Sequence, residues 1–551
     1  MKVNEQAQAN PRPGNSQHRT LHRVFLWLCS IAAILVVGFL IAGDVLLHRA
    51  GPILKEKVIE TLSTRFDSRV ELDGFHVSLI KGFEVYGTGL KLYPNHLDMT
   101  DPLIQVERFS FHAYGWRQLI ATPIVINRVQ VSGLSIHMPP KSERANIPHL
   151  SSPDASAVDK SHSGIKILVN EILVDQADLV IENGKPGKLP LDFVIHQLDL
   201  HTVGAGRPMK FHAILVNAKP IGNIDSSGDF GPFDAQSPGD SPVDGQYSFS
   251  HADLGPLKGI AGILSSTGSY SGQLNRIEVN GETTTPDFRL DTTNRPVPLN
   301  TKFHAIVDGT NGDTYLDPVD AYLAQTHIVA QGEVVRAIGV PGHRIHLEVT
   351  VGPGRIQDLL LLAVKTDPPL MTGQVQLHTS FDLPPGPARV TSKLQLKGSF
   401  AVLNVHFSND KFQGDVDQLS LRGQGKAGEA NRERDAMKTG NTDAATAADV
   451  ASTMRGDFTF GGDKLTIPIV NYEVPGAHIA MSGDYSLDGE VFDFHGLARL
   501  DAHVSQMVGG WKSILLKPVD PFFAKNGAGT QVPIQVTGTR SDPKIGLDFK
   551  H

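Results

Sequence analysis

Residues 344–351 read Arg-Ile-His-Leu-Glu-Val-Thr-Val, an unbroken alternation that places Ile345, Leu347, Val349 and Val351 on one face of an extended chain and four polar side chains on the other. Period two is the signature of a half-buried β-strand, and it recurs along most of the chain. Upstream it appears in Val70 and Leu72, in Phe75, Val77 and Leu79, and in Ile104 and Val106, with glycines at 82, 87 and 89 reading as turns between short strands. It continues through 124–129, 133–137, 165–169, 179–182, 194–200 and 211–216. Two stretches break the pattern. Apolar residues at helical spacing predict a helix over 52–66 and another over 354–365, the latter stopped by Pro368 and Pro369. The predicted fold is therefore mainly β with a few short helices. From periodicity alone, the apolar face of residues 344–351 would be buried against a second sheet in a sandwich.

The chain has 551 residues, 40% of them hydrophobic, which allows several domains or one long repetitive one. Its longest uncharged apolar run, VFLWLCSIAAILVVGFLIA at 24–42, would extend about 28 Å as a helix, close to the roughly 30 Å bilayer core. The run is longer than the apolar core of a cleaved signal and is followed by no A-x-A triplet, so it reads as a transmembrane anchor. Lys2, Arg12, Arg19 and Arg23 before it and Asp44 after it favour a cytoplasmic N-terminus, although Arg49, Lys55 and Lys57 weaken the asymmetry. The one cysteine, Cys29, lies inside the run, so the remainder carries neither disulfide nor thiolate. A net charge of −8 gives no basic field for nucleic acid.

The organisation that follows is a cytoplasmic tail (1–23), an anchor (24–43), an N-terminal helix with strands (44–138), a Ser/Pro-rich loop (139–163), a repetitive β region (164–422), a mobile polar insertion (423–454) and a C-terminal β region (455–551). Within the last, Gly456-Asp457-Phe458-Thr459-Phe460 and Gly483-Asp484-Tyr485-Ser486-Leu487 begin similar strands 27 positions apart.

Chemistry-bearing motifs are scarce. There is no HExxH, GxSxG or Walker loop. Gly423, Gly425 and Gly428 match GxGxxG, but a polar insertion rather than a helix is expected after them, which argues against a nucleotide site. The stretch from Asp308 to Asp313 imitates a calcium loop, yet Val319 stands where the bidentate Glu belongs, so it reads as a turn. Among 23 histidines, His343 and His346 are the closest suggestive pair, and a spacing of three turns them to opposite faces of a strand. No metal, cofactor or catalytic residue is expected.

Several strings resemble the bacterial AsmA-like family, in which a membrane helix leads into a chorein-like start. They are SRVELDGFHVSLIKGFEVYGTGLKLY (68–93), LIQVERFSFHAYGWRQLI (103–120), SGQLNRIEVNGETTTPDFRLD (271–291), FHAIVDGTNGDTYLDPVDAYL (303–323), RIQDLLLLAVKTDPPLMTGQVQLHTSFDLPPG (355–386) and KPVDPFFAKNGAGTQVPIQVTGTRSDPKIGLDF (517–549). The resemblance implies an elongated, curled antiparallel sheet forming a periplasmic groove, tethered to the inner membrane and serving phospholipid transport and outer-membrane integrity. It turns the sandwich expectation into an open groove lined by Phe75, Val77, Leu79, Ile345, Leu347, Val349 and Val351. Phospholipid and the inner membrane are the implied partners, with outer-membrane or other envelope proteins beyond them. The alternative is an assembly factor offering strand edges to outer-membrane barrel precursors. In an open groove Leu347→Glu is expected to fold and lose lipid transfer, in a closed sandwich it is expected to unfold the domain, and His346→Glu, pointing away, is expected to be nearly silent.

Overall fold

The structure, a computed structural model, describes residues 51–78, 83–95, 101–113, 124–139, 167–182, 190–204, 206–232, 237–337, 342–364, 367–439, 450–487, 491–503, 505–507, 530–539 and 542–547. The expected tail and anchor, Leu79 and nearly all of the Ser/Pro-rich stretch lie outside these residues. Among the described residues no helix is long and apolar enough to cross a membrane. They form twenty-five strands and five α-helices, so the chain is mainly β as the period-two pattern predicts. The chain divides into two compact units, one built from residues up to 252 with 267–279 and 307–312, the other from 253–266, 280–306 and residues from 313 onward.

In the first unit, helix α1 (Gly51–Phe66) occupies the position expected from Val58 and Leu62, both of which it buries against the sheet. Strands Ser68–Glu71 and Gly74–Ser78 pair antiparallel with Phe83–Pro94, which pairs with Ile104–Ala113 and so with Ile124–Met138. The next pair departs from the expected antiparallel order. Ile124–Met138 and Ile167–Ile181 run parallel, so the sheet is mixed. A parallel neighbour cannot be reached by a tight turn and needs a crossover connection, and these two strands are well separated in the chain. Antiparallel pairing resumes through Leu191–Gly204, Met209–Ala218 and Ile221–Phe230.

Gly87 and Gly89, which read as turns, are instead internal to the continuous strand Phe83–Pro94, and Gly133, expected to begin a strand, is internal to Ile124–Met138. Gly89 (φ +66°) and Gly133 (φ +65°) adopt left-handed backbone conformations, and Gln176 (φ +55°) does the same. Cross-strand register places these three on one row with Glu107. At that row the inward parity flips: Val85 precedes it and Leu90 and Leu92 follow, just as Val129 and Val131 precede and Leu134 and Ile136 follow. A single left-handed residue turns the chain by half a pleat, so a run that breaks strict alternation still keeps its apolar side chains on the core side. The core this produces is sealed: Leu90, Leu92, Ile104, Val106 and Phe109 are each about 1% exposed.

In the second unit, eleven strands from Thr314–Leu323 to Asp542–Leu547 pair antiparallel in chain order. Helix α2 (Ile356–Ala363) forms within the span expected from its apolar face, and the short α3 (Val390–Lys393) follows it. Helices α4 (Asp410–Gly423) and α5 (Ala427–Thr439) were not expected. The polar insertion is thus corrected for residues 427–439. They form a helix that buries Ala427 and Ala430, two small side chains that leave almost no hydrophobic signal in the sequence. Residues 440–449 lie outside the described part. The internal repeat is also placed differently. Gly456–Phe460 and Gly483–Ser486 lie near the ends of strands Ser452–Gly461 and Ala477–Ser486, not at their starts, and Leu487 sits in the following turn.

Candidate functional site

The register of the second unit's meander aligns apolar side chains into rows that cross the strands. An outer row contains Leu347, Phe381, Leu396, Phe460, Leu465, Tyr485 and Phe492, each opposite the next. A central row contains Val351, Leu377, Phe400, Gly456, Val470, Met481, Gly496 and Ile534. An inner row contains Val375, Val402, Met454, Tyr472, Ile479, Ala498 and Val532. Each row is fixed by antiparallel pairing, which puts directly opposed residues on the same side of a sheet.

Burial distinguishes the rows. Helices α2 and α4 lie at the inner border, where Ile356 and Leu359 pack on the cluster of Val351, Val375, Val402 and Val405, and Val416 packs with Val474, Ala477 and Leu500. The helices therefore roof the inner row. Every member of the outer row is only half-buried, and so are most of the central row. In a sandwich those positions would be sealed by a facing sheet. Instead they form an open apolar face, bordered on one side by helices. Aromatic rings line it: Tyr485 and Phe492 lie 4.8 Å apart and Phe492 and Phe494 6.4 Å apart. Phe494 settles over Gly483, where a Cβ would come within 2.7 Å of its ring.

Six of the seven expected lining residues are described, and they separate accordingly. Ile345, Leu347 and Val349 are half-buried on the open face, while Val351 is buried beneath α2. Phe75 and Val77 pack against the sealed core of the first unit, where protein supplies their apolar contacts. Most of the aromatic lining escaped the sequence reading. Its trace is the alternation in Phe458-Thr459-Phe460 and Phe492-Asp493-Phe494, but which strands stand side by side is not written in either segment.

The opposite face is polar around Arg344, although Ile469, Val491 and Leu497 are exposed on it farther along the sheet. Asp382 accepts a 2.9 Å hydrogen bond from Arg344 Nε, and His346 Nδ1 lies 3.3 Å from the same oxygen. The Arg344 hydrogen bond is the main reason that the Asp382 carboxyl is held below its usual range. His343 contacts Asp313 at 3.9 Å, apart from His346, as their spacing predicts. Among the described residues no group of three or more His, Cys, Asp or Glu side chains is placed to hold a metal ion. Asp308 accepts from the backbone N–H of Thr310 at 2.9 Å and from Asn311 Nδ2 at 2.6 Å, which makes its stretch the turn that was expected. Contrary to the polar insertion expected after the GxGxxG match, a helix, α5, follows Gly425. The preceding element is helix α4 rather than a strand, however, so the phosphate-binding context is still missing.

Helices α4 and α5 carry buried acids. Asn409 caps α4 by accepting from Phe412 N at 2.9 Å, and Asp417 accepts from Gln413 Nε2 and the Val450 N–H. Glu433 of α5 is 6% exposed and its Oε1 has no hydrogen-bond partner. Burial, with Asp417 nearby, raises its pKa, and burial likewise pushes the Tyr472 hydroxyl up to about 12. A carboxyl with a raised folded-state pKa holds its proton longer in the native chain than in the unfolded one. Stability should therefore fall as pH climbs from the ordinary Glu range through the raised value. Glu433→Gln is expected to remove that slope and to raise stability at neutral pH relative to the parent. Urea unfolding at several pH values measures both effects.

Comparisons with protein-family models, curated proteins and solved structures find no match for the chain.

Proposed function

We propose that this is a non-enzymatic lipid-handling protein of the cell envelope, held at the inner membrane by residues 24–43 and guiding acyl chains along the open face of its second unit. The observation that carries the proposal is the unbroken outer row, half-buried across seven consecutive strands. Six strand spacings of about 4.8 Å make it about 29 Å long. An acyl chain reaches about half of the roughly 30 Å bilayer core, so one can lie along the row with room to slide. Each CH₂ taken out of water contributes about 0.8 kcal/mol, and successive rungs of similar apolar character offer nearly equivalent contacts. An open apolar face of this extent is unusual unless something occupies it. The likeness of the strings quoted above to AsmA-like chains points the same way.

Mass spectrometry of lipid retained by the full chain, purified in mild detergent, tests the proposal. The expected result is diacyl phospholipid held in stoichiometric amount. A chain that folds normally, retains no lipid and takes up none from vesicles would refute it.

A further inference from the structure

We infer that an open cleft of about 650 Å³ beside the outer row binds a phosphate-bearing anion, with Lys397 and Lys393 supplying the charge. The cleft lies at the border of the sheet away from α2 and α4, where strands Gln395–Phe407 and Lys464–Val474 begin and Ser452–Gly461 ends. Its floor is a cross-strand row on the polar face: Ser380 opposite Lys397, Lys397 opposite Thr459 and Thr459 opposite Thr466. Leu396 and Phe460 of the outer apolar row also line it, so the cleft stands where the apolar path meets a polar edge.

Charge accounting identifies the ligand class. Asp382, which lines the cleft, is already held by Arg344 and His346. Asp484, just beyond, is held by Lys464 Nζ at 2.8 Å and Thr466 Oγ1 at 2.5 Å. Lys393 Nζ donates to two carbonyls, of Pro384 and Gly386, each at 3.0 Å, and among the described residues it pairs with no carboxylate. Lys397 is exposed, and among the described residues no hydrogen bond or ion pair engages its ammonium. Among the described residues two positive charges thus face one cleft without carboxylate partners, beside the hydroxyls of Ser380 and Thr459, while those of Ser392 and Thr466 already donate to Arg389 O and Asp484. That combination suits a compact oxyanion, and a phosphate fits it in both charge and hydrogen-bond capacity.

The same chemistry is offered by a phospholipid headgroup and by a free phosphate. The lipid source rests on the acyl-chain reading of the neighbouring face; the anion site itself does not. Two fluorescent probes with identical acyl chains, phosphatidylglycerol and diacylglycerol, separate the contributions when titrated in detergent against the full chain. Inorganic phosphate is added as a competitor and, in a separate titration without lipid, followed by calorimetry. The expected result is tighter binding of phosphatidylglycerol than of diacylglycerol. Lys397→Glu should weaken the former about tenfold, the value of one lost charge-assisted hydrogen bond, and leave the latter unchanged. Lys397→Ala should fall between, and both variants should melt with the parent because the side chain is exposed and unpaired. Calorimetric binding of inorganic phosphate that Lys397→Glu abolishes, without any preference between the lipids, assigns the site to free anions. Equal binding of both probes, insensitive to Lys397→Glu and to phosphate, overturns the anion site and leaves the apolar path standing. Loss of both probes with phosphate binding intact would overturn the acyl-chain reading and keep the site.

Discussion

Leu347→Glu is expected to abolish lipid retention while the second unit stays folded. Leu347 lies on the outer row between Gly332 and Phe381, half-buried, so a carboxylate there can reach water without being sealed in apolar surroundings. What it does instead is interrupt the row. An acyl chain crossing it must desolvate the charge or leave the face, a penalty of a few kcal/mol, and each 1.4 kcal/mol is about tenfold in affinity. Retained lipid should therefore drop by about 10- to 100-fold, with the unfolding midpoint nearly unchanged. The structure also shows that His346→Glu is a poor control. His346 already stands beside Asp382 at 3.3 Å and Glu348 at 3.9 Å, so a third carboxylate would be repelled there, contrary to the silence expected from its facing away. Gln376→Glu, exposed on the polar face, is the better comparison and should leave lipid retention intact. Unfolding of the Leu347 variant, with no lipid on the parent, would mark the face as a buried core.

The opposite behaviour is expected in the first unit. Phe109→Ala should cost about 3–5 kcal/mol, the range for emptying a large aromatic site in a packed core. Phe109 is 1% exposed and its ring lies directly over Gly87, where a Cβ would approach ring atoms to 2.1 Å. Phe111 lies 5.9 Å from it, centroid to centroid. Helix α1 and the strands close around these rings and cannot collapse fully into the space left behind. Urea unfolding followed by a probe in the first unit measures the loss. A change of less than about 1 kcal/mol would mean that the site is loosely packed and that this core is no more sealed than the open face.

The contrast between Leu347 and Phe109 marks where the sequence stops being informative. Both sit in period-two patterns of similar strength, and each pattern identifies a strand and its apolar side. Whether that side is sealed or open depends on what covers it, which is a property of segments distant in the chain. Helix α1 was legible because its own residues carry a 3.6-residue period. Helix α5 was not, because it buries alanines and a glutamate rather than a hydrophobic stripe.

The sequence by itself determined that this protein is mainly β, that helices fall within about 52–66 and 354–365, and that Ile345, Leu347, Val349 and Val351 share one side of a strand. These are local consequences of backbone geometry, since side chains alternate on a strand and recur at 3.6 residues on a helix. Only the tertiary structure decided that Ile124–Met138 and Ile167–Ile181 pair in parallel, and that Gly89 and Gly133 bend continuous strands rather than end them. It alone aligned Leu347 with Phe381, Leu396, Phe460, Leu465, Tyr485 and Phe492. The reason is physical: a glycine permits a left-handed turn or an in-strand bend equally well, and hydrogen-bonded neighbours choose between them. Register, likewise, is set by pairing across strands that no single segment specifies.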